Sequence, residues 1–239
     1  MLIDHLLAHH LLAGAIVAGP LFVAVSLAQA FTRDGFDLRR HPISLLSLGE
    51  FGWLQVANFV VCGALILAGA VGLRRRLTSG RGRIWAPRLL AVIGSGLVTA
   101  GGSVTDAGAG FPAGAPAGAP ERISLHGIVH EVGFLAVFVA TIALAVVLAR
   151  RFAAERRRGW LAVCVAAPLL AIVITAWPDL DSLSVRLVAT TAVQFGFLSS
   201  VLWRLDRDGR DGISRRTGGS RRTPAGRSDR PAPAGTPAG

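Results

Sequence analysis

"SLHGIVHEVGFLAVFVATIALAVVLARRF" (residues 124–152) opens on a serine and two histidines, runs through oil, and ends on paired arginines. Between Val132 and Ala149 it holds no charged residue. About 20 such residues, rising ~1.5 Å each, cross the ~30 Å hydrocarbon core of a bilayer as one helix. A lone strand is excluded, because backbone polar groups in lipid must find partners within the segment. The stretch therefore reads as a membrane-spanning helix with a polar lip at one end and arginines at the other.

Five further blocks repeat this form. The six are expected at about His10–Phe31, Trp53–Leu73, Ala86–Val104, Ser124–Leu148, Trp160–Trp177 and Ser184–Trp203. Apolar residues make up 52% of the 239-residue chain and charged residues only 16%, a balance foreign to a soluble domain of this length. The fold class is thus all-α, a polytopic six-helix bundle over residues 8–203. Pro20 and Pro168 fall inside two blocks, where neighbouring helices can re-satisfy the carbonyls a kink sets free. Residues 204–239 are rich in Arg, Gly and Pro and nearly free of apolar side chains. They cannot bury enough surface to offset ordering entropy, and read as a disordered tail.

Arginine sets the orientation. All 25 basic residues are arginines. They crowd the connections 74–88 and 150–158 and the tail, while the opposite side holds Arg33, Arg39, Arg40, Arg122 and Arg186. The positive-inside rule then places both termini in the cytoplasm of a cell-membrane protein. Trp53 and Trp177 fall at the expected outer boundaries and Trp85, Trp160 and Trp203 at the inner ones, as an aromatic belt requires. The expected partners are the bilayer and, at the cytoplasmic arginines, anionic lipid headgroups; nucleic acid is not expected. "SLAQA" (26–30) has the small residues of a signal cleavage site, but "MLIDHLLAHH" carries no Lys or Arg, and the first helix is expected to be retained. Cys62 and Cys164 sit within apolar blocks and read as free thiols.

Nearly all other polar chemistry lies on the arginine-poor side, in three elements. In "DLRRHPISLLSLGEFGW" (37–53), Pro42 suits the first turn of a short helix that lies on or dips into the outer interface, with Ile43, Leu46 and Leu45 on one apolar side. That helix brings His41, Ser44 and Ser47 to the mouth of the bundle. Asp106 directly follows the third helix, where the dipole disfavours a carboxylate, so it calls for a partner. Ser124 is the expected N-cap of the fourth helix, which puts His126 and His130 one turn apart on one face. The positive end of that helix keeps their rings neutral and able to offer a lone pair. His41, Asp106, His126 and His130 would make a tetrahedral or water-bearing zinc site, with Ser44, Arg40 and Glu131 orienting the ligands from behind. Zinc there would activate water against a lipid or lipid-like amide. The pair is not HExxH, since the glutamate follows the second histidine, and singly each residue reads equally as an interfacial polar group. A small-solute transporter and a structural or interaction protein therefore stay open beside a hydrolase, and whether the chain is an enzyme is left undecided.

"GFDLRRHPISLLSLGEFGWLQVANFVVCG" (35–63), "TDAGAGFPAGAP" (105–116) and "LHGIVHEVGFLA" (125–136) resemble the actinobacterial six-helix membrane proteins of the domain of unknown function 998 family. The resemblance covers about residues 8–203. It implies six helices and a retained first helix, and carries no activity, substrate or cofactor. A looser likeness joins the Ser, Asp and His-x-x-x-His set to the membrane zinc amide hydrolases of the alkaline ceramidase and adiponectin-receptor superfamily. Those have seven helices and place the histidine pair on the last.

Overall fold

The computed structural model describes residues 2–120, 122–179 and 181–219. It has six long helices: α1 (Leu2–Thr32), α2 (Gly52–Arg76), α3 (Trp85–Gly102), α4 (Leu125–Ala154), α5 (Arg158–Ala176) and α6 (Leu183–Gly219). A short 3-10 helix, Ile43–Ser47, lies between α1 and α2. All but α3 are long and apolar enough to cross a membrane. At 18 residues α3 is the shortest, and Pro87, Arg88, Gly94 and Gly96 dilute its apolar run. It nevertheless packs between α2 and α4.

Each helix packs on the next in sequence, and α6 closes on α1, so the six form a ring. Tight crossings explain where its glycines fall. A Cβ on Gly63 of α2 would stand 2.8 Å from the Gly94 carbonyl oxygen of α3, and one on Gly94 would stand 2.8 Å from that of Gly63. Gly96 of α3 and Gly133 of α4 make the same reciprocal contact at 2.7 Å. Only residues without a side chain let backbones approach this closely, the usual device where apolar burial cannot drive association.

The α1–α2 seam is polar. Gln29 donates to Gln55 (2.7 Å), Gln55 to Ser26 (3.0 Å), and Asn58 to the Phe22 carbonyl (3.0 Å) and Ser26 (3.2 Å). All four side chains are buried, and each finds its partner within the seam, as groups in a low-dielectric core must. Cys62 and Cys164 are both buried and free.

Two boundaries differ most from the sequence reading. α1 begins at Leu2 rather than His10, and α6 continues past Trp203 to Gly219, through what composition reads as tail. As far as Arg210 the continuation is held by ion pairs that composition cannot see. Asp206, 2% exposed, accepts from Arg76 at 2.6 Å and faces His9 at 2.7 Å; Asp208 pairs with Arg157 (2.5 Å) and Arg204 (2.8 Å). The last part of the expected tail, 220–239, lies outside the described residues.

Candidate functional site

The connections α1–α2, α3–α4 and α5–α6 meet at one end of the ring, here the mouth; the other end carries the arginine clusters. Below the mouth lies a cavity of about 710 Å³, within the range of small-molecule sites. α1, α2, α3, α4, α6 and the three connections line it, and none of the lining residues comes from α5. Along α4 it reaches from Gly127 to Val137, and along α6 from Leu183 to Phe195. Twelve residues of helix rise ~18 Å, so the cavity reaches more than halfway through a ~30 Å hydrocarbon core. Its depth is largely apolar (Phe22, Phe59, Leu97, Phe134, Leu187 and Phe195), broken by His130, Thr191 and Gln194. Its rim carries Arg39, Arg40, Asp106, Glu131 and Asp181.

The mouth is built by side chains that satisfy backbone. The 3-10 helix follows Pro42 and buries Ile43, Leu45, Leu46 and Ser47, the apolar side its sequence proposes. Arg33, just past α1, holds this segment down by donating to the carbonyls of Leu48 (3.1 Å) and Phe51 (2.9 Å). Arg186 does the same for α5, donating to the carbonyls of Ile174 and Thr175 at 3.1 Å and Trp177 at 2.6 Å. These are C-terminal carbonyls that no helical N–H can reach. The sequence reading missed both arginines. Their signal was position, because an arginine on the arginine-poor side runs against the charge bias and implies a specific bond.

His41 is buried between Phe36 and Phe111, with ring centroids 5.2 and 5.4 Å away. Its Nδ1 accepts from the Asp37 N–H (2.9 Å), so Nε2 carries the proton and donates to the Ala109 carbonyl (3.0 Å). Both ring nitrogens are thereby engaged, Nδ1 within the α1–α2 connection and Nε2 in tying it to the α3–α4 connection.

Asp106 finds its partner at the start of the next helix. Its Oδ2 accepts the Ser124 N–H at 2.9 Å, while Ser124 Oγ accepts from Gly127 (3.0 Å) as the N-cap of α4. Hydrogen bonds from Ser124, assisted by the nearby His126, hold the Asp106 carboxyl below the usual range. A carboxylate also suits the positive end of α4.

The two histidines of α4 part ways. His126 is exposed, whereas His130 is buried to 3% and lines the cavity. His130 Nδ1 lies 2.8 Å from the Ala100 carbonyl and 3.0 Å from that of Ser103, the unpaired end of α3. Carbonyls only accept, so Nδ1 bears a proton, and in the neutral ring Nε2 keeps its lone pair. Of the remaining residues singled out by sequence, Ser44, Arg40 and Glu131 line the cavity. Among the described residues, no group of three or more His, Cys, Asp or Glu side chains gathers where one metal ion could touch them all. Among the described residues that line the cavity, Gln194 of α6 carries a buried amide nitrogen, Nε2, without a partner.

An all-helical ring with several helices able to span a bilayer defines an integral membrane protein. Within that class, the family described as protein of unknown function (DUF998) matches residues 16–203, and the chain belongs to it. No curated protein and no solved structure matches the chain.

Proposed function

We propose that this protein is a six-span membrane protein, termini in the cytoplasm, that holds a small amphiphile in the cavity below its outward mouth. The observation that carries this reading is the cavity itself: polar and charged at the rim, largely apolar below it, and framed by five helices. An apolar chain would occupy the depth among Phe59, Leu97, Phe134, Leu187 and Phe195. Gln194 lines the cavity, and a turn of its side chain would bring the buried, unpartnered Nε2 to one acceptor of that molecule, since a buried donor without a partner costs free energy until met. The lone pair of His130 Nε2 offers an acceptor on the opposite wall. α3 counts as a span because ~27 Å of helix nearly matches the hydrocarbon core and because it packs between two longer spans. The orientation rests on the arginine bias.

Native mass spectrometry of the full chain released from nanodiscs tests the binding. The wild type should leave with one amphiphile per chain. Thr191→Trp, which fills the cavity from the half-buried face of α6, should leave without it while keeping its thermal transition. An empty wild type, or equal retention by Thr191→Trp, would refute the reading.

A further inference from the structure

The rim charges divide by wall. Arg39 and Arg40 come from the α1–α2 connection, whereas Glu131 comes from α4 and Asp181 from the α5–α6 connection. Among the described residues none of these four is in an ion pair. Opposite charges thus face one opening without meeting each other. Asp106 stands apart, its carboxylate already bound to Ser124.

The ring is also uneven around the cavity. At the arginine end α5 lies on α4, with the Phe152 and Trp160 rings 6.0 Å apart. At the mouth end α5 is fastened to α6 instead, by Thr175 to Thr190 (2.9 Å) and by Arg186. α4 and α6 make few contacts with each other, and α5 lines no part of the cavity. Beside that gap Phe134 is 38% exposed while also lining the cavity, and Glu131 is exposed above it. The outer face of α4 (Val132, Leu135 and Val139, each more than half exposed) is dressed for lipid.

We infer, building on the amphiphile-binding reading, that the ligand is a membrane phospholipid bearing a primary amine, taken from the bilayer through the gap between α4 and α6. Its phosphate meets Arg39 and Arg40, since guanidinium matches phosphate with paired donors. Its ammonium donates to Glu131 and Asp181, which a quaternary amine cannot do. One acyl chain enters the cavity along Phe134 and Leu187, and the other stays in the bilayer, because about 710 Å³ does not enclose a two-chain lipid. An anionic lipid without an amine would place its headgroup against two carboxylates with nothing to offset them.

The test is native mass spectrometry from nanodiscs made with equal parts phosphatidylethanolamine, phosphatidylcholine, phosphatidylglycerol and diacylglycerol. The wild type should retain phosphatidylethanolamine over each of the others by about tenfold, the size of one charge-assisted bond. Arg40→Ala should erase the preference over diacylglycerol, and Glu131→Gln the preference over phosphatidylcholine. Both positions are exposed, so neither change should disturb folding. Equal retention of phosphatidylglycerol or phosphatidylcholine by the wild type overturns the inference, as does a preference that survives both substitutions. Lipid retained by Thr191→Trp, or none retained by the wild type, overturns the cavity reading and this inference with it.

Discussion

The two ends of the bundle use arginine in opposite ways. At the mouth, where arginines are few, Arg33 and Arg186 are bonded to the backbone carbonyls that close the 3-10 segment and the end of α5. At the other end Arg74, Arg75, Arg83, Arg88 and Arg150 are exposed, and the described ion pairs gather around Glu155, Asp206 and Asp208. Most arginines of the crowded end act as surface charge or in ion pairs, with Arg151 also donating to the Ser79 (3.3 Å) and Arg81 (3.1 Å) carbonyls. At the mouth, by contrast, Arg33 and Arg186 act as structure, and Arg39 and Arg40 stay exposed at the rim. Arg76 differs from all of these in its burial. Its side chain is 3% exposed, bonded to Asp206 through one nitrogen, with Nε and Nη1 buried and unpaired.

The contrast gives an order of expected effects. Asp206→Ala should be the most damaging change, because it leaves Arg76 buried without its counter-charge; a loss of about 3–5 kcal/mol is expected, read as a lowered Tm in detergent. A loss below that of the mouth arginines would mean Arg76 escapes to solvent, and the two ends would no longer differ in kind. Arg186→Ala should follow, at about 1.5 kcal/mol for charge-assisted bonds at a partly exposed site. Hydrogen exchange should speed up at the carboxyl end of α5 and leave the α1–α2 seam unchanged.

Ser124→Ala should cost about 1 kcal/mol, the usual value of an N-cap. The same cap gives a pH dependence. Ser124 lowers the folded pKa of Asp106 beneath its unfolded value, so its contribution is complete above about pH 4 and is lost as pH falls through the folded pKa. Asp106→Asn should flatten that acid limb in thermal melts. Smallest of all, Arg83→Ala should stay within about 0.5 kcal/mol, as expected of one exposed charge among many. A clear destabilisation there would break the comparison.

Local chemistry was legible in the sequence. The apolar blocks locate the helices, Ser124 is the cap its position suggests, and Pro42 opens a short helix with Ile43, Leu45 and Leu46 turned inward. Long-range ties were not. His41 meets Ala109, Asp106 meets Ser124, and Asp206 meets both His9 and Arg76, partners far apart in the chain or set by a fold no periodicity describes. The sequence reading puts the polar residues of the mouth on one side, yet sharing a side leaves undecided whether side chains face a common point or the backbone. His130 is the case in point, since the unpaired end of α3 lies within reach of its Nδ1. The cavity was likewise hidden, because the residues of its depth look like any other lipid-facing or core positions until the ring closes.

Thiol accessibility tests the cavity most directly. Both native cysteines are buried, at 0% and 2% exposure, so a Thr191→Cys chain carries one new thiol on the cavity wall of α6. With the protein in sealed right-side-out vesicles, a water-soluble maleimide added outside should label that thiol well above the unsubstituted chain. Bound amphiphile should slow the labelling. Labelling no faster than that of Cys62 and Cys164, or labelling only after the vesicles are opened, would contradict an outward-facing cavity.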